Sequence, residues 1–124
     1  MNALVVDDSS AMRAILARML RALDFEVKEA EDGRAALDVL ASSGPFDLAL
    51  VDWNMPVMDG LQLLHAMRSD RRLDGMRVMM VTTETEIDRV ACALDAGASE
   101  YLMKPFTTEA MAEKLAILGL VDVP

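Results

Sequence analysis

Short apolar runs and longer stretches of helical periodicity alternate five times along the chain. Residues 3 to 6, Ala-Leu-Val-Val, run straight into Asp7 and Asp8, and Leu48 to Val51 stop at Asp52. Val78 to Val81 reach Thr82 and Thr83, and Tyr101, Leu102 and Met103 reach Lys104-Pro105. Apolar runs of this length, bounded by turn residues, predict strands buried on both faces of a parallel sheet. Phe25, Val27 and Ala30 alternate with polar residues, which predicts a strand nearer the sheet edge.

The helices read between them. Ser9 or Ser10 caps a first helix whose apolar face is Ile15, Leu16, Met19, Leu20 and Leu23, with Arg13 and Arg21 elsewhere. Asp32-Gly33 turns into a second, marked by Ala36, Leu37 and Leu40 and stopped before Gly44-Pro45. Pro56 and Gly60 lead into a third, with Leu61, Leu64 and Met67, ending near Asp70; Arg71 to Asp74 then form a solvated connection. Ile87, Val90, Ala91 and Leu94 mark a fourth, which Gly97 closes as a left-handed cap. Thr107 caps the fifth, with Glu109 in its positive first turn and Met111, Leu115 and Leu118 buried.

Parallel strands joined by helical crossovers predict an α/β fold: a doubly wound, five-stranded sheet with helices on both faces. The strand order 2-1-3-4-5 is one of two common arrangements, and periodicity does not choose between them. The chain of 124 residues suits one domain spanning 1–124, with nothing after the fifth helix except Leu120 to Pro124 and hence no output domain.

Charge and composition narrow the function. A formal net charge of -9 disfavours nucleic acid, which needs clustered Lys and Arg, and suits metal cations or basic protein surfaces. No apolar run approaches the roughly 20 residues that span a bilayer, so no membrane insertion is expected. The start lacks a basic segment before its apolar run, so a cytoplasmic protein is expected. The single Cys92 excludes an internal disulfide and a Cys-based zinc cage, and its alanine neighbours suggest a small core filler. His65, also alone, is expected at the boundary of a helix's apolar stripe.

In a parallel sheet all carboxyl ends share one rim, which here gathers Asp7, Asp8, Asp52, Thr82 and Lys104. Taken singly, each has a plain structural explanation as a cap or a turn. Together they describe chemistry. Carboxylates about 4 Å apart repel by roughly 4 kcal/mol per pair at an effective dielectric of 20, and a cation relieves that. Oxygen-only donors favour a hard ion, Mg²⁺ above all. A carboxylate beside such an ion can act as nucleophile and form an aspartyl-phosphate. Thr82 is placed to donate a hydrogen bond to it and Lys104 to supply a fixed positive charge.

The segments Val5-Val6-Asp7-Asp8-Ser9, Val51-Asp52-Trp53-Asn54-Met55-Pro56, Asp59-Gly60, Val81-Thr82, Gly97-Ala98-Ser99 and Lys104-Pro105-Phe106 carry a resemblance over essentially the whole chain. The sequence resembles the receiver domains of two-component response regulators, in their stand-alone CheY-like form. The resemblance implies the flavodoxin-like order 2-1-3-4-5, phosphorylation by a histidine kinase and a switched surface for a downstream target protein, as in chemotaxis or motility. It makes Asp52 the phosphoacceptor and Asp8 a direct Mg²⁺ ligand, with Asp7 acting mainly through metal-bound water and the backbone carbonyl of Asn54 completing the protein ligands. Thr82 would bind the phosphoryl group, Lys104 would pair with it, Tyr101 would be the aromatic switch, and the bond before Pro105 would be cis. Such a protein catalyses only its own phosphorylation and dephosphorylation and is otherwise no enzyme; a monomer is expected, with a phosphatase as a further partner. Thr83 stands where the family usually has a very small residue, which implies narrower access to the pocket. Val90 and Leu94 on the fourth helix, flanked by Lys114, are the expected partner contacts.

A single-domain phosphate shuttle or sink in a phosphorelay shares all these features. A metal-dependent small-molecule phosphatase of the haloacid-dehalogenase type needs a second Asp where Asn54 stands, and a cap for which no residues remain. A flavin-binding module needs a hydroxyl-rich phosphate loop after the first strand, where Asp7-Asp8 would repel the ligand.

Overall fold

Side chains along a strand point alternately to opposite faces, so a strand apolar at every position needs cover on both. β1 (Asn2–Val6), β3 (Leu48–Asp52) and β4 (Arg77–Thr82) are such strands apart from polar residues at their ends, and they are buried except at their first residues in β1 and β4. A computed structural model describes residues 1–83 and 88–122 of the chain. In it β2 (Glu26–Ala30) and β5 (Glu100–Met103) flank the three central strands in one parallel sheet, ordered β2-β1-β3-β4-β5. This is the doubly wound arrangement that the family resemblance implied.

Strand alternation builds two dry layers. Leu4, Val6, Ala49, Val51, Val78 and Met80 face α2 (Gly33–Ser43), α3 (Gly60–Arg68) and Ala93 of α4 (Val90–Asp95). Ala3, Val5, Leu48, Leu50, Met79 and Val81 face α1 (Ser10–Ala22) and α5 (Thr108–Ile117). Side-chain oxygens start four helices by accepting orphan backbone N–H groups: Ser9 from Met12, Asp32 from Ala35, Asp59 from Gln62 and Thr107 from Ala110. Gly97, at φ 110°, closes α4: its N–H donates to Leu94 and that of Ala98 to Ala93, at 3.1 and 3.0 Å. That pattern needs a left-handed residue at Gly97, as its position after the fourth helix predicted. The Lys104-Pro105 bond is cis.

Some expectations fail, each for a local reason. Arg71 to Asp74 are not wholly solvated: Arg71–Leu73 form a 3-10 turn that drops Leu73 into the core, 4% exposed. Cys92 is exposed, because the short α4 turns Val90 and Ala93 inward instead. Val90 is therefore corrected from a partner contact to a core residue, whereas Leu94 is 41% exposed. His65 is fully on the exposed side of α3. Ile15 is 45% exposed, outside the face made by Leu16 and Leu20. Ile87 lies outside the described residues, as do Val123 and Pro124.

Candidate functional site

The rim of the sheet is assembled by backbone pairing. Asp52 ends β3 opposite Val81 of β4, and Thr82 follows Val81. The Lys104 N–H donates to the Thr82 carbonyl at 2.7 Å, which brings the end of β5 alongside. Asp7 follows β1, its N–H held by the Ala30 carbonyl at 3.1 Å and its own carbonyl by Arg13 Nη1 at 2.8 Å. Asp7, Asp8, Asp52 and Lys104 thus converge from three strand ends, and Thr82 ends the strand paired with that of Asp52.

Carboxylate oxygens of Asp7, Asp8 and Asp52 all lie within 4.8 Å of one another. Asp7 and Asp52 are buried, at 1% and 8% exposure, while Asp8 faces solvent. Asp7 Oδ1 accepts the Ser9 N–H at 2.8 Å; Oδ2 makes no hydrogen bond among the described residues and lies 4.0 Å from Lys104 Nζ. That ammonium donates to Asp52 Oδ1 at 3.3 Å. Burial pushes the Asp52 carboxyl up to about 6, the Asp7 carboxylate adds to the rise and Lys104 opposes it. Burial also raises Asp7, against the Ser9 amide and Lys104. One ammonium does not neutralise three acids. An orphaned buried oxygen, all-oxygen donors and uncompensated charge suit a hard divalent cation, so the residues present fit Mg²⁺.

Thr82 is wholly buried, and its hydroxyl has no hydrogen-bond partner among the described residues. Such a group is ordinarily costly, by about 1–3 kcal/mol.

The profile of the response regulator receiver domain matches residues 3–116. The chain belongs to the response regulator receiver family. This receiver domain is 47% identical over 116 residues to the chemotaxis protein CheY of Pseudomonas aeruginosa, covering 93% of each chain. It is 43% identical over 116 residues to CheY-3 of Vibrio cholerae, covering 93% of this chain and 88% of that one. The solved structure of Vibrio cholerae CheY4 superposes with a TM-score of 0.86 at 34% identity, covering 94% and 96% of the two chains.

The remaining expected residues fall in two places on the receiver. Asn54 is exposed in the loop after β3, within two residues of Asp52. Tyr101 and Lys114 meet away from the acids, the ammonium 4.1 Å from the ring centre. Sequence reading missed the role of Arg13 and the cleft beside Lys104. Arg13, set aside because it lies off the apolar stripe, holds the Asp7 backbone. Ile15 and Thr83 line an apolar cleft of about 510 Å³ beside Lys104, together with Met12, Met19 and Phe106. The only sequence signal for that cleft was an apolar face on α1 wider than its core contact.

Proposed function

We propose that this receiver is a phosphorylation-activated signalling protein of chemotaxis or motility, with Asp52 as the phosphoacceptor. The observation that carries the reading is the buried Thr82 hydroxyl, without a hydrogen-bond partner among the described residues, on the strand next to that of Asp52. An Asp52 oxygen attacks the phosphorus of a phosphohistidine on the donor kinase; the P–N bond breaks and the imidazole leaves with its electron pair. Lys104, already 3.3 Å from Asp52, balances the charge brought in, and Thr82 donates to a phosphoryl oxygen. Asp7, Asp8, Asp52 and the Asn54 carbonyl would hold Mg²⁺, which when bound would supply positive charge against that developing on the transferred group. The apolar cleft beside Lys104 offers the donor protein a seat next to the acceptor, with Thr83 forming part of its wall.

Thr82 moves toward the new oxygens, Tyr101 turns into the space it leaves, and a surface around α4, β5 and α5 changes for a downstream target. Leu94 is the exposed apolar anchor there. The domain acts in the cytoplasm as a monomer, with a phosphatase as a further partner. The test is labelling by acetyl phosphate: the wild type takes one acid-labile phosphoryl group and the nearly isosteric Asp52→Asn none. Stoichiometric labelling of that variant would overturn the assignment.

A further inference from the structure

β5 is the outer strand of the sheet, so one side of its backbone has no neighbouring strand among the described residues. Glu100 covers that side at Tyr101: its Oε1 accepts the Tyr101 N–H at 2.9 Å. The same oxygen accepts from Lys114 Nζ, reaching over from α5, at 3.1 Å. That ammonium lies 4.1 Å from the centre of the Tyr101 ring. Backbone, carboxylate, ammonium and ring therefore close a circuit around one side chain. The Lys114 and Glu100 side chains are only 26% and 18% exposed, so solvent weakens the contact with the ring less than it would on an open surface.

We propose that Glu100 and Lys114 form a latch that holds Tyr101 in its resting position and sets how readily the phosphoryl signal reaches the output surface. The proposal rests on Tyr101 being the switch residue. An inward turn takes the ring off the ammonium, so the latch opposes activation. It also occupies Lys114 in the resting state and releases it to a partner by the same movement. Glu100 is the positioning residue: it fixes the ammonium over the ring without touching the phosphoryl site.

A ligand that prefers the turned state binds with an affinity reduced by the fraction of molecules already able to turn. Weakening the latch therefore tightens the binding of beryllofluoride, a phosphoryl mimic, at fixed Mg²⁺. The readout is Trp53 fluorescence, with NMR of the Tyr101 ring reporting its position. Lys114→Met should bind about three- to tenfold tighter than wild type. Glu100→Gln should gain less, because the ammonium can stay on the ring, and the double variant should gain no more than Lys114→Met. Lys114→Arg, which keeps a cation on the ring, should return toward wild type. If Lys114→Met and Glu100→Gln bind no tighter than wild type while Tyr101→Ala alters affinity, the latch is refuted and the switch role stands. If Tyr101→Ala is also unchanged, Tyr101 is not coupled to the site and both ideas fall.

Discussion

Gly60 lies so close to the backbone carbonyl of Asp52 that a Cβ there would sit 2.5 Å from the oxygen. A second backbone atom, Trp53 Cα, would be 3.0 Å away, so the crowding cannot be relieved by a side-chain rotation. The close approach lets the Gly60 N–H reach the Trp53 carbonyl at 2.9 Å and seats the start of α3 under the acid pocket. Gly60→Ala should lower the free energy of unfolding by about 1–3 kcal/mol, the range for overpacking, and slow acetyl phosphate labelling. Gly75→Ala, where an added Cβ meets nothing within 4 Å, serves as the control in urea melts and labelling. Equal effects of the two substitutions would contradict the account.

Thr82 sets stability against function. Its buried hydroxyl is satisfied by no described residue, so Thr82→Val keeps the shape and removes the unpaired polar atom. Folding stability should rise by about 1 kcal/mol while beryllofluoride binding weakens. A loss of stability, measured by denaturant unfolding without Mg²⁺, would show that the hydroxyl is satisfied in solution.

The sheet was legible because each central strand is a complete signal in itself: Leu48 to Val51 are apolar at every position and end in an acid. Strand ends then imply a shared rim, so Asp7, Asp8, Asp52, Thr82 and Lys104 could be grouped before any geometry. Helix faces were less legible. Periodicity places a residue on a stripe, but neighbouring elements decide where the stripe's edge meets solvent. Ile15 and Cys92 lie at such edges and are exposed, while Val90 turns inward. Glu100 and Arg13 had no sequence signal, since a charged residue on a strand end or helix flank looks solvated until its partner is placed.

Asp52 makes stability depend on pH with a definite sign. Its carboxyl is raised from an ordinary 3.8 to about 6, chiefly by burial, so the folded protein holds this proton more tightly than the unfolded chain. The resulting stabilisation is full below pH about 4 and is lost as pH rises through about 6. Asp7 is raised in the same direction. In metal-free buffer Asp52→Asn should therefore exceed wild type in stability near neutral pH by about 1–3 kcal/mol, with the gap closing toward pH 4. Mg²⁺ should narrow the gap at neutral pH by stabilising only the carboxylate form. Urea melts across this range check it, and a gap independent of pH would mean that Asp52 titrates normally.

Val57 stands in a conformation its side chain disfavours, with φ at 69°. It is β-branched and 81% exposed, so no packing of its own compensates. The turn is fixed from either side: the Met58 N–H donates to the Pro56 carbonyl at 2.7 Å, and Met58 is pressed against α2. There a Cβ on Gly33 would lie 2.8 Å from Met58 Cβ. The loop that carries Asn54 thus pays locally for a shape set by its neighbours. Val57→Asn, which tolerates positive φ, should raise stability by about 1 kcal/mol, whereas Val57→Ile should not. Both variants keep the acids, Thr82 and Lys104, so labelling by acetyl phosphate should separate strain from function. Unchanged labelling in Val57→Asn makes the strain a by-product of packing Met58 onto α2. Slower labelling with the same gain in stability would mean that the strained turn itself helps position the acceptor loop. If Asn and Ile at this position give the same urea midpoint, the backbone there is relaxed and the argument fails at its first step.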